Sequence, residues 1–268
     1  MARLGLKIVG ADGRVKAEQY DKREISLVYR AEYEEGDVIT FYNSEPENLY
    51  VISVDAAIAE SLVYVTREEV EYAIPFGEKK VCRCPQSFSG DVHLITAREA
   101  HEWEKYSYRN MAVNAIDQHS DTGIYPHAFA NVETRGESVF AARNAIDGCL
   151  CVHSHGQWPY GSWGINNRDD AEMVVNFGRE IWIDRMILHT RADFPHDSWW
   201  VRATAEFSDG TETELALNKT PHGQEFVFPE KKRVSWVKLK DLMKADDPSP
   251  YPALTQIAVY GSELREDE

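Results

Sequence analysis

Asp170-Ala171-Glu172-Met173-Val174-Val175-Asn176-Phe177-Gly178 is followed, after Arg179 and Glu180, by Ile181-Trp182-Ile183-Asp184-Arg185-Met186-Ile187-Leu188-His189-Thr190. Met173, Val175 and Phe177 alternate with Glu172, Val174 and Asn176, the two-residue period of a strand with one buried face. Strand-like runs continue at residues 200–207, 211–217, 225–228, 234–239 and 254–260. Ser208-Asp209-Gly210 supplies the Asp-Gly turn expected between hairpin strands. Residues 124–268 therefore read as an antiparallel β-sandwich.

Upstream, short apolar runs at 6–9, 25–29, 38–42, 49–54, 62–65, 70–74 and 92–95 are rich in β-branched and aromatic residues. Gly, Asn, Asp and Pro punctuate them, the spacing of a second antiparallel sandwich over residues 1–96. Thr96-Ala97-Arg98-Glu99 has the form of a capping box and predicts a short helix through Tyr106, with Ala100 and Trp103 on its apolar face. Residues 114–122 are polar and aperiodic, the composition of a connection. The expected architecture is all-β: two antiparallel sandwiches separated by a helix and linker at 97–123. No internal repeat or low-complexity tract joins the halves.

The chain has 268 residues, 43% of them hydrophobic, enough for a packed core. Its net charge of −16 repels phosphate backbones and anionic headgroups, so nucleic acid and membrane surfaces are not expected partners. No apolar run approaches the roughly 20 residues of a membrane span. Arg3, Lys7, Asp12, Arg14 and Lys16 interrupt what a secretory leader would keep apolar. As it stands the sequence predicts a cytoplasmic protein, or an extracellular one if a leader has been removed. Four cysteines in two Cys-x-Cys pairs, Cys82/Cys84 and Cys149/Cys151, are too few and too closely spaced for a disulfide framework, which suits a reducing compartment.

Three segments, in order, resemble the discoidin family, the coagulation factor 5/8 type C or galactose-binding-like jelly roll. Ala141-Ala142-Arg143-Asn144-Ala145-Ile146-Asp147-Gly148 is similar to its Ala-x-x-Ala-x-Asp-Gly opening. The segment from Asp170 to Gly178 resembles its strand ending in a Phe-Gly turn. Leu254-Thr255-Gln256-Ile257-Ala258-Val259-Tyr260-Gly261 resembles its closing strand. The resemblance covers the C-terminal half alone; the N-terminal half resembles no family. It implies a jelly roll with a ligand held by loops at one end, and many bacterial members are carbohydrate-binding modules. It also implies a structural calcium ion near the opening loop, where Asp147 matches a ligand position. Gln256 and Ala258 stand where an acidic partner is expected, which weakens a site for a hard, oxygen-seeking cation. No other cofactor is implied.

A sugar needs an aromatic face for its C–H groups and planar or charged partners for its hydroxyls. Five of the seven tryptophans fall between residues 158 and 200. The loop at 153–168 offers His155, Trp158, Tyr160, Trp163 and Arg168. The loop at 191–199 offers Arg191, Asp193, His196 and Trp199, and by resemblance the two share one end of the sandwich. Trp182 and Trp236 lie inside strand patterns and read as core. Packing and loop bracing compete with ligand contact at each of these residues. Cys149-x-Cys151-x-His153-x-His155 looks metal-like, yet a straight strand spreads it over roughly 20 Å, far beyond one zinc coordination sphere.

No phosphate-cradling Gly loop, Gly-x-Ser-x-Gly elbow or His-Glu-x-x-His is present. The favoured reading is a non-catalytic carbohydrate-binding protein whose partner is a short glycan or similar small molecule. Two alternatives stand beside it. A sugar-active hydrolase or lyase would place carboxylates in a cleft at the domain junction. A protein-interaction or homo-oligomer scaffold would display its tryptophans as a flat apolar patch.

Overall fold

A computed structural model describes residues 2–153, 158–192 and 198–265. The fold is all-β and antiparallel. Strands β1 (Arg3–Val9), β2 (Val15–Lys22), β3 (Glu24–Tyr29), β4 (Val38–Asn43), β5 (Asn48–Ser53), β6 (Ser61–Val65), β7 (Glu69–Ala73) and β8 (His93–Glu99) build the N-terminal half. One sheet runs β2-β1-β4-β7; the second runs β6-β5-β8-β3. Alternating residues of both sheets, among them Leu4, Leu6, Ile8, Val63, Val65 and Ile95, fill a shared core at 0% exposure. β2 escapes sequence patterning because it is an edge strand with no buried residue.

The expected helix differs from the observed one. Thr96–Glu99 continues strand β8, whose Ile25↔Ala97 and Ser26↔Thr96 pairs with β3 consume the backbone groups that a capping box would have used. The helix, α1 (Glu102–Lys105), is one turn long and capped by His101, whose N–H donates to Glu104 Oε2 at 2.8 Å. Trp103 is 71% exposed and stacks on the His101 ring, so it does not form an apolar core face.

The strand β9 (Arg109–Asn110) pairs with the C-terminal sheet, β10 (Ile124–Tyr125) returns to pair with β6, and β11 (His127–Ala130) rejoins the C-terminal sheet. The segment expected to be a simple linker ending at 123 thus threads both halves. Asn114, Ala115, Ile116 and Asp117 are buried, which the polar sequence did not suggest. Their polar atoms are satisfied locally: Asn114 Nδ2 donates to Pro126 O at 2.8 Å and the Ile116 N–H to Asn114 Oδ1 at 3.1 Å.

The C-terminal half contains β12 (Trp163–Gly164), β13 (Met173–Thr190), β14 (Trp200–Phe207), β15 (Glu212–Ala216), β16 (Gln224–Lys244) and β17 (Ala253–Glu263), in the order β12-β17-β13-β16-β14-β15. β13 merges the two strands expected from the sequence. Phe177-Gly178 does not end the strand: Gly178 adopts φ +71° and the register shifts between Asn176 and Ile181, bending the strand instead of breaking it. Residues 208–210 form the expected hairpin turn, with Gly210 at φ +83°. Trp163 and Trp200 are the core tryptophans at 0% exposure, their rings 6.3 Å apart. Trp182 and Trp236, expected in the core, are half-buried on the opposite strand faces from Ile181, Ile183 and Val237.

Candidate functional site

Three strands, β12, β13 and β17, meet by their ends at one tip of the C-terminal sandwich. β12 pairs with the start of β17 through Trp163↔Leu254 and Gly164↔Ala253, and the Arg191 N–H, just past β13, donates to Ala253 O at 3.1 Å. Two 3-10 turns, Thr134–Gly136 and Ser138–Phe140, fold over these ends as a wall. Between wall and strand ends lies a cavity of about 470 Å³, within the range of small-molecule sites.

Its apolar surfaces are Phe140, Tyr160 and Tyr251. Tyr160 is 4% exposed and meets Phe140 edge to face at 5.9 Å, while Tyr251 is 59% exposed at the rim. Arg191 is 1% exposed, with its guanidinium carbon 4.7 Å from the Tyr160 ring centre. A guanidinium at this distance from an aromatic ring is attracted by the ring quadrupole, which helps to hold Arg191 in the cavity floor. Arg135 lies 5.4 Å from the Phe140 ring centre and forks onto Glu137 through Nε to Oε1 at 2.5 Å and Nη2 to Oε2 at 2.7 Å. Those hydrogen bonds hold the Glu137 carboxyl below the usual carboxylate range.

The rim backbone is unusual. Arg135, Asn166 and Asn167 adopt φ of +54°, +50° and +56°, the left-handed region that asparagine enters readily and arginine rarely. Asn166 is fixed by its N–H, which donates to Thr134 Oγ1 at 2.9 Å, tying the 164–167 loop to the wall. Gly164 allows that approach: a Cβ there would lie 2.7 Å from Thr134 Oγ1 and 3.0 Å from Phe140 Cδ1.

Of the residues singled out in the sequence, Tyr160 and Arg191 line the cavity together. Trp163 does not face it. It is fully buried, its indole N–H donating to Val132 O at 2.9 Å, because a core position beneath the wall needs a large side chain with one satisfied donor. Arg168 points away to a two-toothed ion pair with Asp170. Trp158 is 41% exposed and is not part of the cavity lining. Trp199 is half-buried with the Lys219 ammonium 4.9 Å from its ring centre. His155, Asp193 and His196 lie outside the described residues.

Phe140, Tyr251 and Arg135 escaped the sequence analysis, and Asn166 and Asn167, inside the candidate loop 153–168, were not singled out there. The turn pairs Arg135-Gly136 and Asn166-Asn167, and the Pro250-Tyr251-Pro252 run, were the available signals.

The residues around Asp147 do not suit calcium. Gln256 turns its amide nitrogen, not its oxygen, toward the carboxylate: Nε2 donates to Asp147 Oδ1 at 2.8 Å and to Asn144 O at 2.6 Å. Its oxygen is occupied by the Gly148 N–H at 3.0 Å. The Arg143 guanidinium stands 3.9 Å from Asp147 Oδ2, so the cation opposite this carboxylate is the chain's own. An amide donor and a guanidinium are the wrong chemistry for a hard-cation shell. Among the described residues, no group of three or more His, Cys, Asp or Glu is placed to hold a metal. Cys149 Sγ reaches the Cys151 carbonyl at 3.6 Å, and burial pushes its thiol pKa up.

Among solved structures, the chain is similar to chitosan-binding module 1 derived from a chitosanase/glucanase of Paenibacillus sp. IK-5, at 19% identity and TM-score 0.39, covering 57% of this chain and 98% of that one. It is also similar to the family 32 carbohydrate-binding module of C. perfringens NanJ in complex with galactose, at 18% identity and TM-score 0.38, covering 50% of this chain and 91% of that one. A third is the lectin domain of lectinolysin complexed with Lewis B antigen, at 18% identity and TM-score 0.41, covering 57% and 96%. No protein-family profile and no curated protein matches the sequence.

Proposed function

We propose that the protein is a non-catalytic carbohydrate-binding protein that holds a short glycan in the tip cavity of its C-terminal sandwich. The observation that carries this reading is the layered set of Phe140, Tyr160 and Arg191 in one concavity with Tyr251 exposed at its mouth. The exposed Tyr251 ring can accept the C–H face of a pyranose, with the buried Tyr160 and Arg191 shaping the floor beneath it. Asn166 and Asn167 add amides, each with donors and an acceptor, which a hydroxyl-bearing ligand can satisfy from either side. Among the described lining residues Glu137 is the one carboxylate, and its fork to Arg135 keeps it ionised, opposite to the raised pKa of a glycosidase general acid.

A glycan array on the whole chain, followed by calorimetry with the strongest responder, tests the reading. Tyr251→Ala is expected to weaken binding about ten- to thirtyfold, the loss of one stacked ring. Its melting temperature should not move, because the ring is largely exposed. An affinity unchanged in Tyr251→Ala would remove the cavity from consideration as the sugar site.

A further inference from the structure

The N-terminal half reaches the cavity from behind. Its 3-10 turn Gly77–Lys80 lies against the wall turn Ser138–Phe140. Glu78 takes both donors of Ser138: the backbone N–H donates to Glu78 Oε1 at 2.7 Å, and the hydroxyl donates to the Glu78 carbonyl at 2.7 Å. Four residues on, Cys82 packs with Val139 and Tyr160 in a small apolar cluster separate from the two main cores, with Phe140 against it. Val139, Phe140 and Tyr160 are themselves cavity-lining residues. The wall is pinned from the other side as well, since Asn144 Nδ2 donates to Ser138 O at 2.8 Å and Arg143 Nη1 reaches Cys82 Sγ at 3.5 Å.

We infer that Glu78 is a positioning residue for the tip cavity and that the N-terminal half is a structural part of the binding site. The inference rests on the saccharide reading of that cavity. A three-residue 3-10 turn has too few internal hydrogen bonds to hold its own geometry. If the wall were loose, ordering it on ligand binding would subtract from affinity; a wall already held by Glu78 and Cys82 removes that cost beforehand. This gives the two-sandwich architecture a purpose: one half presents the ligand surface and the other keeps it in shape.

The test uses the full chain with Glu78→Ala and Glu78→Gln. Gln retains an oxygen that can accept the Ser138 N–H, so it serves as the rescue variant. Hydrogen exchange followed by mass spectrometry should show faster exchange in peptides covering residues 138–140 in Glu78→Ala, with the rest of the chain unchanged and Glu78→Gln matching wild type. Calorimetry with the strongest array glycan should show binding weakened about three- to tenfold in Glu78→Ala and restored in Glu78→Gln, as for loss of one charge-assisted, solvent-facing hydrogen bond. Unchanged exchange in Glu78→Ala overturns the strut whatever the ligand does. Faster exchange with unchanged affinity overturns its role in binding. A wild-type chain that binds no saccharide, while exchange still responds to Glu78→Ala, overturns the saccharide reading and leaves the strut standing.

Discussion

At the residue scale the cavity depends on a missing side chain. Gly164 lets strand β12 pass directly beneath the wall, and a Cβ at that position would fall 2.7 Å from Thr134 Oγ1 and 3.0 Å from the Phe140 ring. Neither neighbour gives way easily: Thr134 accepts the Asn166 N–H, and Phe140 is packed against Tyr160 and Arg135. Gly164→Ala is therefore expected to cost about 1–3 kcal/mol, the usual range for overpacking a fitted site. Urea unfolding measures it, and a neutral result would mean the wall yields freely. Residue identity alone did not show this, because the closeness of β12 to the wall exists only after folding. The tryptophans make the same point. Trp200 opens a strand-like run, but Trp163 carries no sequence mark that separates it from Trp158, yet Trp163 and Trp200 are sealed in the core while Trp158 and Trp199 are partly open. Burial is a property of where the strand face points, and a loop's composition does not fix that direction.

At the element scale, runs of β-branched and aromatic residues bounded by turn residues marked the longer buried strands, and period-two alternation marked the start of β13. The short strands β9 to β12, two to four residues each, are too brief to leave a pattern, and two longer features were also missed. β2 has no buried residue, so it leaves no pattern. The junction between β8 and α1 was misassigned because a Thr-x-x-Glu spacing is compatible with both a cap and a strand, and pairing with β3 decided it. The actual cap offers its own prediction. The Arg98 guanidinium forks onto Glu104 at 2.7 and 2.6 Å, and with the His101 N–H it lowers the Glu104 pKa to about 2 from an ordinary 4.5. A carboxyl whose pKa is depressed on folding stabilises the native state above its unfolded pKa and loses that contribution as pH falls through the folded value. Both side chains are about one quarter exposed, so the contribution at neutral pH is under about 1 kcal/mol. Melting temperatures of wild type and Glu104→Gln should differ slightly at pH 7 and converge between pH 4.5 and 2. A gap that persists undiminished at the acid end would show that the carboxylate's charge is not its source.

At the scale of the whole molecule, the two sandwiches are joined by more than a tether. Arg83 of the N-terminal half and Arg143 of the C-terminal half are 8% and 6% exposed and converge on one crossing segment. Arg83 donates to Ala115 O at 3.2 Å and Asp117 O at 3.3 Å, and Arg143 Nε donates to the same Asp117 carbonyl at 2.9 Å. Asp117 in turn accepts from the Ala128 N–H at 2.9 Å and pairs with His127 at 2.8 Å, at the start of β11. Buried charges with this many fixed partners are costly to separate, because each would be left without solvent or counterpart. The chain also crosses between the halves at β9, β10 and β11, so the connecting segment contributes strands to the sheets of both sandwiches. We therefore expect one cooperative calorimetric transition in the wild-type chain. In Arg143→Ala the Asp117 carbonyl keeps only the longer bond from Arg83, Asn144 Oδ1 loses its guanidinium donor and Asp147 its nearest cation, a loss of about 3–5 kcal/mol and a melting temperature lower by on the order of 10 °C. If the halves are coupled chiefly through this junction, the variant's transition also broadens or splits, with the N-terminal sandwich retaining its own melting point. Two separated transitions already present in wild type would refute the coupling, and with it the reason for which the wall of the tip cavity can lean on the other half.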